Sequence, residues 1–148
     1  MAREAAQGAN AAAEDDIEID LVKASMATSD HVLGAAAYLF VGPENLGGLS
    51  GAMKEFFDRQ YYPVLGRIEG RGYASIIAAG SDGSGAQRQI DRIVTGWRLK
   101  RVVEPLIVNF DAQTPEAILA EKSVPSAELA KCWEIGGALG AGVAMGVF

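Results

Sequence analysis

Two short apolar runs constrain this chain more than any other feature. Ala36 to Val41 (AAYLFV) and Tyr73 to Gly80 (YASIIAAG) are continuous rather than alternating. Runs this short, with no polar face, read as strands covered on both sides, and such strands belong to parallel sheets flanked by helices. Each run ends in a glycine-rich segment that opens a helical pattern. After the first comes VGPENLGGLSG, then Leu49, Ala52, Met53 and Phe56 at helical spacing, which predicts a helix from Ser50 to about Arg59. After the second comes GSDGSG, then Ile90, Ile93, Val94 and Trp97 at the same spacing.

The flanking segments continue the alternation. Ala2, Ala5, Ala6, Ala9 and Ala13 share one face of a helix over residues 1–13. Glu14, Asp15 and Asp16 read as a solvated turn. Ile17, Ile19 and Leu21 alternate, which predicts a strand over 17–24 covered on one side. Residues 25–35 read as a short helix or loop, and 60–72, with Tyr61, Tyr62 and Pro63, as a loop. Residues 102–110 form a further strand interrupted by Pro105, which suggests an edge strand or a bulge. A last helix from about Ser126 is expected to bury Leu129, Cys132, Trp133, Gly136, Gly140, Val143 and Val147. Strands and helices thus alternate along one domain, residues 1–148: an α/β fold with a doubly wound parallel sheet, four strands visible and helices on both faces.

Composition and residue counts exclude several function classes. The 148 residues carry a net charge of −6, with no clustered basic face for a phosphate backbone, so no nucleic acid is expected as partner. The single cysteine, Cys132, and single histidine, His31, allow neither a disulfide nor a zinc site, and they point to a reducing compartment. Gly48-Leu49-Ser50-Gly51 is not a nucleophile elbow, and no histidine follows it. The apolar C-terminal run Ile135–Phe148 has 14 residues, short of the ~20 of a membrane span. Its Gly136-xxx-Gly140 spacing therefore reads as a helix packed closely on its neighbours. No signal peptide is visible at the N-terminus.

The loops at the carboxyl ends of the strands are where an open α/β sheet binds ligands. In GPENLGGLSG the glycines let a ligand approach exposed backbone amides, with Glu44 and Asn45 beside them, an arrangement suited to the polar edge of a flat ring. An ordinary strand-to-helix loop is the alternative. GSDGSG forms a helix N-terminus that favours anions or carbonyl oxygens, unless Ser81, Asp82 or Ser84 serves only as its cap. Tyr61 and Tyr62 either stack on such a ring or pack at a sheet edge or subunit contact.

These residues carry a resemblance. GPENLGGLSGAMKEFFDR resembles the P-E-x-N-x-x-x-x-G-x-x-K-x-x-x-D segment of NAD(P)H-dependent FMN reductases and the flavodoxin-like quinone reductases. AGSDGSGAQRQIDRIVTGW is similar to the next flavin-side loop and helix of those proteins. The resemblance implies a flavodoxin-like sheet of order 2-1-3-4-5, non-covalent FMN and NAD(P)H as co-substrate. It implies FMN contacts from Pro43, Glu44, Asn45, Leu46, Gly47 and Gly48 on one side and Ser81, Asp82 and Gly83 on the other, with no protein acid or base as a catalytic residue. The implied function is a cytoplasmic, homo-oligomeric oxidoreductase passing reducing equivalents to a quinone, flavin or similar small acceptor. A flavodoxin-like electron carrier and a truncated non-catalytic protein of the same fold are the alternatives. The family also opens with a central strand and a Ser/Thr-rich phosphate loop that this sequence does not show. Met1 falls where the family's first helix is already under way, so an N-terminal truncation of about 20 residues is expected, from a mis-assigned start, clipping or natural loss.

Overall fold

A computed structural model describes residues 1–13 and 17–148. The predicted turn at residues 14–16 lies outside the described residues. In chain order the elements are α1 (Ala2–Ala12), α2 (Ser29–Gly34), β1 (Ala37–Asn45), β2 (Gly48–Leu49), α3 (Gly51–Val64), β3 (Gly72–Ala79), α4 (Ser84–Gly96), β4 (Lys100–Arg101), β5 (Leu106–Asn109), α5 (Pro115–Leu119) and α6 (Ser126–Ala144). The two apolar runs are neighbouring parallel strands, with Ala37 opposite Gly72 and Pro43 opposite Ala78. On its far side β3 pairs in parallel with β4 and then β5. These two short strands occupy one lane, broken at 102–105, because Pro105 has no N–H to give the ladder. The strand expected over 102–110 is thus shorter than read: only Leu106–Asn109, after Pro105, is strand, and the other short piece, Lys100–Arg101, precedes the expected range.

Side-chain alternation along the strands sends residues to two apolar layers. Tyr38, Phe40, Tyr73 and Ile77 pack with Phe56 and Phe57 of α3 and with Ile90, Val94 and the buried Trp97 that follows α4. Ala37, Leu39, Val41, Ala74 and Ile76 face Ala5 of α1 and Cys132, Ile135 and Leu139 of α6. Helices therefore cover both faces, as continuous apolar strands require. Alpha1 and α6 meet backbone to backbone. A methyl group at Gly136 would overlap the Ala5 carbonyl, and one at Gly140 would lie 2.6 Å from the Ala9 oxygen. Among the described residues no helix is long and apolar enough to cross a membrane.

Three expectations are corrected. Residues 17–23 form no strand, although Ile17, Ile19 and Val22 are partly covered and Val22 packs against the α3–α4 layer. A strand needs a ladder partner, and this segment has none among the described residues. Beta1 likewise pairs along Ala37–Pro43 with β3 alone. Second, α3 runs on through the predicted loop to Val64, with Pro63 in its last turn, where the missing N–H costs a single helical bond. Third, α6 buries Ile135 and Leu139, while Trp133 is 45% exposed and Val147 lies beyond the helix on the surface. The buried face is turned because the helix meets α1 through its glycines and the sheet through Cys132, Ile135 and Leu139.

Candidate functional site

Beta1 does not end in a simple loop. Asn45 and Gly48 pair across a two-residue turn, so that β1 and β2 make a small antiparallel hairpin. Leu46 (φ 52°) and Gly47 (φ 77°) both take left-handed conformations, the requirement of a type I′ turn. Leu46 stands fully exposed at the tip. Ser50 follows as the N-cap of α3, its Oγ accepting from the Met53 amide at 3.4 Å.

This hairpin is locked to the loop that follows β3. The Gly83 amide donates to Glu44 Oε1 at 2.9 Å, and the Ala86 amide to Glu44 Oε2 at 2.8 Å. The Leu49 amide donates to Gln89 Oε1 at 2.8 Å. Backbone touches backbone where Gly85 meets Gly47: a methyl group at Gly85 would run into the Gly47 carbonyl. Gly83 (φ 86°) caps α4 without a side-chain bond, and any Cβ there would come within 2.5 Å of Ile107. Neither Ser81, Asp82 nor Ser84 caps the helix; the cap comes from Glu44, 39 residues away. The Ser84 hydroxyl donates to Asp82 and accepts from Arg88 Nη1.

A third loop completes this edge. The Asn109 side-chain amide donates to the Ser81 carbonyl at 2.5 Å, and the Ala112 amide donates to the Gly80 carbonyl at 2.6 Å. Asn109 Oδ1 in turn accepts from the amide of Asp111. Asn109 and Gln89 leave no local signal in the sequence, because their partners are 28 and 40 residues distant.

Of the predicted site residues, Pro43–Gly48 and Ser81–Gly83 are brought together on one edge of the sheet. The glycines have structural roles there: Gly47 takes the turn conformation, and Gly48 lies against Gln89, where a Cβ would be 3.0 Å from Oε1. Glu44 is committed to α4. What the two loops present outward is the exposed side chains of Pro43, Asn45, Leu46, Ser81 and Asp82. In the same loops the amides of Leu46, Gly47, Ser81 and Asp82 donate to no protein group among the described residues. Such a set can pair with the carbonyl and ring-nitrogen edge of a planar heterocycle. The N-terminus of α4 already holds the Glu44 carboxylate, which offsets the positive end of the helix dipole.

Tyr61 and Tyr62 do not flank this edge. They lie in the last turns of α3, at the opposite end of that helix from its Ser50 cap. Tyr61 stacks on Trp97, with ring centroids 6.1 Å apart, and Tyr62 is exposed. A cavity of about 150 Å³ lies beside them, and another of about 350 Å³ lies between α1 and α6. Among the described residues no group of three or more histidine, cysteine or carboxylate side chains is placed to hold a metal.

No protein-family model matches the chain, and no curated protein matches its sequence. Solved structures do match. A flavodoxin from the domain Archaea overlays with a TM-score of 0.70 at 12% identity, over 97% of this chain and 87% of its own. The rubredoxin oxygen:oxidoreductase of the anaerobe Desulfovibrio gigas overlays with a TM-score of 0.72 at 12% identity, over 99% of this chain and 33% of its own. An NADPH-quinone reductase from P. pentosaceus overlays with a TM-score of 0.57 at 14% identity, over 89% of this chain and 88% of its own. The chain has the flavodoxin-like fold.

Proposed function

We propose that this chain binds FMN at the carboxyl edge of its sheet and passes reducing equivalents from NAD(P)H to a quinone, a free flavin or a similar small acceptor. The observation that carries the reading is the pair of interlocked loops, 42–49 and 80–86, whose amides at 46, 47, 81 and 82 have no protein acceptor among the described residues, beside the exposed Asn45. This lies where open α/β sheets bind ligands, on a fold whose solved neighbours include a flavodoxin and an NADPH-quinone reductase. In this reading the amides of 46–47 and 81–82 hold the polar edge of the ring. Pro43 and Leu46 offer it apolar contact. Asn45 supplies a side-chain donor and acceptor. Gly48 and Gly83 shape the two loops from beneath, and Glu44 holds those loops together. When bound, FMN supplies the hydride and electron chemistry; the protein binds and orients, and it needs no side-chain acid or base. The resemblance of 43–58 to the FMN reductases supports a cytoplasmic homo-oligomer, and the buried free thiol of Cys132 suits a reducing compartment.

The test is titration of the purified protein with FMN, followed by NAD(P)H oxidation with a quinone or flavin acceptor. Saturable flavin binding and acceptor-dependent oxidation are expected. A protein that takes up no flavin refutes the proposal. Flavin binding without NAD(P)H oxidation supports instead an electron carrier, the reading favoured by the higher overlay with the archaeal flavodoxin.

A further inference from the structure

We infer that Glu44 is the positioning residue of this edge: it fixes the two loops against each other and, by filling the N-terminus of α4, makes the site select a neutral ring edge over an anion. The inference rests on the reading that these loops receive a flavin ring. Its geometric half stands on the structure alone.

Each carboxylate oxygen of Glu44 accepts one amide, Gly83 at 2.9 Å and Ala86 at 2.8 Å. The Gly83 amide is that of the N-cap and the Ala86 amide lies in the first turn of α4, where no local side chain serves as cap. Helix amides in this position have no intrahelical acceptor and carry the positive end of the helix dipole. A carboxylate held there satisfies the amides and neutralises that end. Glu44 is itself anchored in β1, two residues before the exposed Leu46–Gly47 turn. The same contact that caps α4 therefore sets where the free amides of 46 and 47 stand relative to those of 81 and 82. Gln89 repeats the device one turn further along, accepting from Leu49 at 2.8 Å. With Glu44 in place, the amides without a protein acceptor among the described residues are those of 46 and 47 on the hairpin and of 81, 82, 84 and 85 at the start of α4, and the carboxylate beside them disfavours a second anion and leaves them to uncharged carbonyl oxygens. Without it, a bare helix N-terminus beside a glycine turn is an anion site.

The experiment compares the wild type with Glu44→Gln and Glu44→Ala, using backbone amide spectra, riboflavin titration and inorganic phosphate titration. Riboflavin presents the ring without a phosphate. In the wild type the Gly83 and Ala86 amides are expected to be protected from exchange and unmoved by phosphate. In Glu44→Ala both signals shift, their exchange protection falls about tenfold or more, and phosphate now moves them. Riboflavin affinity falls about tenfold while the remaining spectrum stays dispersed. Glu44→Gln, which keeps an acceptor oxygen but no charge, recovers part of the riboflavin affinity. Unchanged Gly83 and Ala86 signals in both variants overturn the inference. So does riboflavin affinity equal to that of a riboflavin-binding wild type. Should Glu44→Ala fail to fold, Glu44→Gln carries the same two amide readouts. A wild type that binds no flavin defeats the proposed function, while the amide and phosphate readouts still decide whether Glu44 holds the loops and excludes anions.

Discussion

Replacing Gly85 by alanine tests the contact between the two loops from the other side. The added methyl would run into the Gly47 carbonyl, with the Gly47 carbonyl carbon at 2.9 Å and Glu44 Oε2 at 3.1 Å. The first two are backbone atoms, so no rotamer change relieves the clash. The hairpin must move off α4, and the Ala86–Glu44 and Leu49–Gln89 bonds, each 2.8 Å, stretch with it. Overpacking of this kind costs about 1–3 kcal/mol, and weakening one such bond adds ~1 kcal/mol. Alanine's better helix propensity returns ~0.5–1 kcal/mol. The net expectation is a loss of about 1–3 kcal/mol, which in a chain of 148 residues lowers Tm by roughly 3–10 °C. Thermal and urea unfolding measure the loss, and faster exchange at the Leu49 and Ala86 amides assigns it to the loop contact. Gly51→Ala is the control: it opens α3, a Cβ there meets nothing within 4 Å, and its effect should stay within ~0.5 kcal/mol. A Gly85→Ala protein as stable as the wild type, with both amides still protected, would show that the loops do not touch as described.

Other perturbations probe the frame. Gly136→Ala forces α1 and α6 apart at the Ala5 carbonyl and should cost about 1–3 kcal/mol in urea unfolding. Leu46→Asn places a residue tolerant of the left-handed conformation (φ 52° here) at the hairpin tip, and should raise stability by up to ~1 kcal/mol in the same assay. Burial, only partly offset by Arg71, raises the hydroxyl pKa of Tyr38, and burial followed by Asp91 raises that of Tyr73. A folded-state pKa above the unfolded value means stability that is whole below the ordinary tyrosine pKa of about 10 and lost as pH rises through the folded value. Stability measured from neutral to alkaline pH should therefore fall above about pH 10, and less steeply in Tyr38→Phe. That variant also lacks the bond from the Tyr38 hydroxyl to the Val32 carbonyl, at a neutral-pH cost of ~1 kcal/mol.

Local periodicity was enough to read β1, β3 and the cores of α3 and α4, because those patterns record which face is covered. It failed where a partner decides the outcome. Residues 17–23 alternate as a strand does, yet they have no ladder partner among the described residues and stay irregular. Trp133 lies at the spacing of a buried face, but the glycines at 136 and 140 turn that face toward α1 and leave the tryptophan outside.

The site shows the same division between local and distant causes. Its two loops were legible from their glycines, but for a reason the structure revises. Gly47 is required by a left-handed turn, and Gly48 and Gly85 by backbone packing against α4 and the hairpin. None of the three needs a ligand to explain it. A ligand would have to be held by what this packing leaves over. Once Glu44 has satisfied Gly83 and Ala86, the amides at 46, 47, 81 and 82 are left without protein acceptors among the described residues. Glu44 reads in the sequence as one more polar group beside the loop. Its acceptors' donors lie 39 and 42 residues further on, so only the folded chain shows that it builds the site rather than lines it.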